Sequence, residues 1–173
     1  IRNELANFLL FYERKKGVDY GFALPTCCLM ITRNCFKKFG YFDLNLKRVE
    51  DMDYTIRLSF GDTIFTSVKE ILVTQTANTF SKKLSYKNYN AEITLIKKYS
   101  DYLSNKKLFE YSMTWPELRF NYFQFKYKKC FFILIKTFYK YPKRAIPHFL
   151  DTAFKRLIHD IKNDSISFKK LFK

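Results

Sequence analysis

Residues 1–80 of this 173-residue chain predict a mixed α/β domain, and residues 81–173 predict a helical, basic region. Three observations carry that division. Up to residue 77, short apolar runs bounded by Pro, Gly and Asp alternate with helix-length amphipathic stretches. From Tyr86 onward the apolar spacing is helical throughout. Charge shifts as well: residues 1–105 hold 16 basic and 11 acidic side chains, whereas residues 106–173 hold 16 basic and 5 acidic.

The elements follow in order. Residues 2–16 read as an amphipathic helix with Leu5, Phe8, Leu9 and Tyr12 on one stripe and Gly17 closing it. After Pro25, residues 26–32 form a short apolar run with β-branched ends, the pattern of a buried strand. Residues 33–39 fit two helical turns ended by Gly40, and residues 50–60 fit a second helix ended by Gly61. Residues 63–67 and 71–76 read as two further strands, the first following a Gly61–Asp62 turn signal. Strand, helix, loop, helix, strand, strand is an α/β unit, not a bundle. In the second region, Tyr89, Ile93, Ile96 and Tyr99 mark one face of a helix reaching about Leu103. Further helices are expected over 115–140 and 144–162, separated by Pro142 and Pro147, with Trp115 anchoring a helix start. The last dozen residues are expected to fray.

Composition excludes several classes. With 47% hydrophobic and 20% aromatic residues, the chain has ample core material and is neither disordered nor low in complexity. No apolar run approaches the roughly 18–20 uncharged residues of a membrane-spanning helix. The first residue is Ile and no signal peptide precedes the fold, so the chain is expected to begin partway through a longer protein. The formal charge of +16 is diluted as evidence by a bias of 24 Lys over 8 Arg, which an AT-rich genome produces on its own. Cys27, Cys28, Cys35 and Cys130 show no metal spacing and read as small buried thiols of a reducing compartment. His148 and His159 have no ligand partners at metal spacing.

The chemistry-bearing stretch runs from Gly40 to Leu58. Glu50 and Asp51 fall in the first turn of a helix, where backbone N–H groups and the helix dipole favour anions. Asp53 and Arg57 are spaced to pair at i, i+4. A carboxylate at a helix start beneath a loop can act as general base for an alcohol, and it can equally serve as a capping device. Asp51–Met52–Asp53 matches Asp-x-Asp as a string, but carboxylates at i, i+2 on a helix point about 200° apart, a poor geometry for one metal.

Taken together, the small-residue run from Thr26 to Ile31, Arg33, Phe36, the turn Gly40–Tyr41–Phe42–Asp43, the pair Glu50–Asp51 and Arg57 resemble a known pattern. Residues 20–77 resemble the second half of the catalytic domain of inverting family 2 glycosyltransferases of the GT-A fold. The resemblance implies a partial GT-A-like domain, with a mixed sheet and flanking helices, over residues 1–80. It implies that Asp51 is the catalytic base and Glu50 its acceptor-orienting partner, that Asp53 and Arg57 brace the helix, and that Thr26, Cys27 and Cys28 line the acceptor floor. It implies a nucleotide-sugar donor, a glycan or lipid-linked acceptor, and a role in bacterial surface polysaccharide synthesis. A divalent Mn or Mg ion is expected in the full-length enzyme, with ligands mostly outside this chain. A cytoplasmic protein peripheral to the inner face of the cell membrane is implied too.

Three departures stand out. Leu44 replaces the usual Glu after Phe-Asp; Gln75 lies where some members carry a His, and is not a ligand expected of a hard divalent ion. The donor-binding half does not precede residue 20, so this chain alone is expected to be inactive.

The basic tail has two readings. Phe131, Phe132, Phe138 and Tyr139 interleave with Lys128, Lys129, Lys136 and Lys140, as in helices that lie on an anionic membrane surface. The same pattern also describes core aromatics with a solvated lysine face. A nucleic-acid-binding protein without catalysis is the rival from another class. It is disfavoured by the acidic cluster at 50–53 and by the absence of any RRM-like, KH-like or zinc-finger pattern.

Overall fold

A computed structural model describes residues 3–17, 20, 25–61, 63–66, 68–74 and 86–162. Among these residues every regular element is helical and no strand occurs. The predicted α/β class, with its partial GT-A-like mixed sheet, is therefore corrected to an all-helical architecture. The reason lies in what a strand is: β-branched composition does not make one unless a neighbouring strand completes the hydrogen-bond ladder. In the 26–32 run, Thr26–Cys28 instead closes a single 3-10 turn, with Cys28 N–H donating to the Pro25 carbonyl at 2.8 Å. Leu29 and Thr32 are extended but unladdered, and Met30 is fully exposed. Thr32 serves as the N-cap of the next helix. Described residues of the 63–67 and 71–76 runs are irregular, with Ile64, Ile71 and Leu72 exposed; Ser67, Gln75 and Thr76 lie outside the described residues, as does the tail expected to fray.

Two compact units divide the chain, Ile1–Met113 and Thr114–Lys173. In the first unit α1 (Glu4–Phe11) is shorter than predicted, because Tyr12 adopts a left-handed conformation (φ 57°) and ends it before Gly17. Its buried side is Ala6, Leu10 and Phe11, one position away from the predicted stripe, because α1 docks by a polar contact: the Ala6 N–H donates to Ser59 Oγ at 3.1 Å. α2 (Arg33–Phe39) and α3 (Glu50–Phe60) match the predicted spans. Gly40 has φ 74° and ψ −172°, a conformation essentially reserved for glycine. Gly61 has an ordinary negative φ; its need for hydrogen is spatial, because a Cβ there would overlap the Phe39 ring. α4 (Tyr86–Lys98) buries Ile93 and Ile96 with Tyr89 and Tyr99 half-buried, as the spacing predicts. The helix breaks at Tyr99 and resumes as α5 (Ser100–Asn105).

α6 (Phe109–Phe123) crosses the boundary between the units, carrying Trp115 and Pro116 in its interior and not at its start. The second unit continues with α7 (Tyr127–Lys140), α8 (Pro142–Phe149), a π-helical turn (Leu150–Phe154) and α9 (Lys155–Lys162). Pro142 opens α8, where a missing N–H costs nothing, and Pro147 lies inside it, so neither proline separates helices as predicted. Asp160 pins this unit. Its buried carboxylate accepts from Tyr122 OH at 2.9 Å and from Arg156 Nε at 3.0 Å. Of the four cysteines only Cys130 is buried, where loss of solvent pushes its thiol up to about 11; Cys27 and Cys28 are exposed, against the buried thiols predicted.

Gly61→Ala is expected to destabilise the chain by about 1–3 kcal/mol through overpacking. Urea unfolding of Gly61→Ala, Phe39→Ala and the double variant checks this, with the double variant less destabilised than the sum of the singles.

Candidate functional site

The candidate residues gather at the start of α3. Val49, the N-cap, has φ 60° and ψ 17°, a left-handed conformation that a β-branched residue rarely adopts. It offers no side-chain cap, and the acidic first turn, Glu50, Asp51 and Asp53, stands in its place. The three carboxylates separate by burial. Asp53 is fully buried, whereas Glu50 and Asp51 are half-buried at the surface.

Asp53 is held from three sides. Arg57 Nε reaches it at 2.9 Å, Lys98 Nζ at 2.9 Å and the Tyr99 hydroxyl donates at 2.8 Å. The Asp53–Arg57 pair thus forms at its predicted i, i+4 spacing. Arg57 uses its remaining donors on the Phe39 and Tyr41 carbonyls, which ties α3 to the Gly40 turn. Burial, reinforced by the hydrogen bond to Asp53, pushes the Tyr99 phenol far above its ordinary value, so it stays a donor. Lys98 also pairs with Asp43 at 2.6 Å. The hydrogen bond from Lys98, with a second from the Asn45 backbone, holds the Asp43 carboxyl below the usual carboxylate range. For Lys98 itself burial opposes the charge, yet the bonds from Asp43 and Asp53 prevail and raise its value.

Asp51 meets the 3-10 turn directly: the Thr26 N–H donates to Asp51 Oδ2 at 3.2 Å. Of the residues expected to line an acceptor floor, Thr26 is therefore brought to Asp51. Cys27 and Cys28 sit on the same turn with their sulfurs 3.8 Å apart, and no contact of either with Asp51 occurs among the described residues. Leu44, at the position of the departed Glu, is exposed. Trp115 packs against His148 with ring centroids 3.8 Å apart and is largely buried, which fits packing and not sugar stacking.

A divalent cation does not fit here. Asp53 is engaged by two cations and a phenol, and no group of three His, Cys, Asp or Glu residues that could hold a metal occurs among the described residues. Asp51 and Asp53 do not act as an Asp-x-Asp pair, in keeping with their helical spacing. Gln75 lies outside the described residues.

Sequence reasoning missed Lys98 and Asp43 as members of this cluster. They lie 45 residues after and 10 before Asp53, so no local spacing links them; Tyr99 was legible only as part of an apolar face. No family model, curated protein or solved structure matches the chain.

Two outcomes are expected. Val49→Asn keeps the left-handed turn at lower strain and raises stability by about 0.5–1 kcal/mol in urea unfolding. For acid, Asp43 and Asp160 both have folded values below the unfolded ones, Asp160 because Arg156, Tyr122 and His159 together outweigh its burial. Their contribution is present at neutral pH and is lost as pH falls through the carboxylate range. Thermal melting across that range should show midpoints that fall with pH, less steeply in Asp43→Asn and less again in Asp43→Asn/Asp160→Asn.

Proposed function

We propose that this chain carries the acceptor-side chemistry of an inverting, nucleotide-sugar-dependent glycosyltransferase, with Asp51 as general base and Glu50 orienting the acceptor. The observation that carries this reading is the division of labour among the three acids of α3. Asp53 is buried and neutralised by Arg57 and Lys98, while Asp51 stays half-exposed beside the Thr26 turn on a helix start that those contacts hold rigid. The order Gly40–Tyr41–Phe42–Asp43, Glu50–Asp51, Arg57 supports the same reading.

In the reaction, Asp51 takes the proton of an acceptor hydroxyl. The oxygen bonds to the anomeric carbon from the face opposite the nucleotide, and the nucleoside diphosphate leaves with the electrons of the bond that breaks. A base in this role contributes roughly 10²–10⁴-fold. Arg57 and Asp53 are positioning residues: they hold the helix and touch no substrate. No residue of this chain is assigned to the donor, and no step runs through a metal. A glycan or lipid-linked acceptor, surface polysaccharide synthesis and a cytoplasmic location belong to the same proposal.

In the protein as encoded by its full reading frame, Asp51→Asn is expected to lower transfer by about 10²–10⁴-fold while donor affinity, measured calorimetrically with nucleotide sugars, stays unchanged. Equal transfer by wild type and variant would remove the assignment.

A further inference from the structure

α7 is apolar on two opposite sides. Its buried side carries Cys130 and Thr137. On the other side Phe131 is 61% exposed, Phe132 69%, Ile135 50% and Tyr139 91%. At 3.6 residues per turn these four side chains share one arc about 100° wide. Lys128 lies within that arc and Lys136 at its edge. A helix that faces water on one side is expected to be polar there. Single exposed apolar residues are ordinary, but four adjoining ones on one face mark an interaction surface.

Charge identifies the occupant. Residues 114–173 hold 14 basic and 4 acidic side chains, and none of the acidic ones lies between Glu117 and Asp151. That field repels a second copy and attracts an anionic surface. A nucleic acid is anionic too, yet Ile135 sits amid the arc and offers no ring for a base to stack on. Acyl chains accept Ile and Phe alike. No helix among the described residues is long and apolar enough to cross a membrane.

We propose that this face of α7 docks on an anionic lipid bilayer, lying in the interface plane. Its rings and Ile135 enter the boundary between headgroups and acyl chains, and Lys128 and Lys136 meet lipid phosphates. The inference is independent of the glycosyltransferase reading and stands or falls without it.

Flotation of the full chain with vesicles tests it. Binding is expected to equimolar phosphatidylglycerol and phosphatidylcholine, and to be at least about tenfold weaker to phosphatidylcholine alone. High salt should weaken but not abolish it, because the apolar contacts persist. Lys128→Gln with Lys136→Gln is expected to lower partitioning roughly 25-fold, and Phe132→Ser with Ile135→Ser at least about tenfold. The substituted side chains are exposed, so circular dichroism and melting should match wild type. A Phe132→Trp variant adds a direct readout, since brominated acyl chains should quench its new fluorescence. Equal binding to neutral and anionic vesicles would overturn the proposal. So would unchanged partitioning of Phe132→Ser/Ile135→Ser, an unquenched Phe132→Trp signal on bound vesicles, or self-association that those substitutions abolish. Oligonucleotide binding that Phe132→Ser removes while vesicle binding persists would assign the face to nucleic acid instead.

Discussion

A carboxylate with no exposed surface must be neutralised, and in the first unit that requirement falls on Asp53. Satisfying it recruits Arg57 from the same helix, Lys98 from the end of α4 and Tyr99 from the break before α5. Each recruit then reaches one step further. Arg57 fixes the carbonyls around Gly40, and Lys98 fixes Asp43. One buried charge thereby sets the positions of α3, α4 and the 40–45 turn at once. Pairs of this kind are weak evidence for stability, because their desolvation offsets much of their attraction. Their strength is specificity: an apolar residue at 53 would place no demand on Lys98 or Tyr99. The second unit uses the same device at Asp160, with Arg156 at i−4 and Tyr122 from another helix.

The sequence was legible wherever structure is decided within one turn of helix. α2 and α3 were read to the residue because Thr32, Gly40 and Gly61 are local signals, and the Asp53–Arg57 pair follows from spacing alone. Reading failed where the deciding partner is distant. The runs at 26–32 and 63–67 have strand-like composition, but a ladder needs a second chain segment, and among the described residues none supplies it. α1 was given the wrong buried stripe because Ser59 of α3, not the hydrophobic count of α1, decides which side docks. Of the candidate site, the identities at 50, 51, 53 and 57 were visible. The cation that holds Asp53 from α4 was not, since Lys98 looks like any lysine at a helix end, where it would interact with the dipole.

The half-exposed pair Glu50–Asp51 stands at the one place in α3 where the backbone is strained. Val49 holds a left-handed conformation without a side chain suited to it. Such positions persist only when their surroundings over-determine them. Here the constraint on one side is the buried Leu46 and the Asp43 turn, and on the other the Asp53 cluster two to four residues into the helix. Asparagine or glycine would sit there with less strain. A β-branched residue instead narrows the backbone to fewer alternatives on both sides of the turn, which keeps the first helical turn from fraying where Asp51 begins.

The π-helical turn at Leu150–Phe154 works as a phase adjuster. Ile146, Leu150, Phe154 and Ile158 repeat every four residues, and in an uninterrupted α-helix such a row drifts about 40° per step. A π turn advances each residue by less than an α turn, so the row winds back where it would otherwise run forward. The angular bearing of Asp160 relative to α8 is thus set by five residues that touch neither Tyr122 nor Arg156. Loss of one residue from that stretch would convert it to ordinary α-helix and swing everything after it around the axis by about 100°, turning the buried acid toward solvent. Length, more than side-chain identity, is what that segment conserves for the unit.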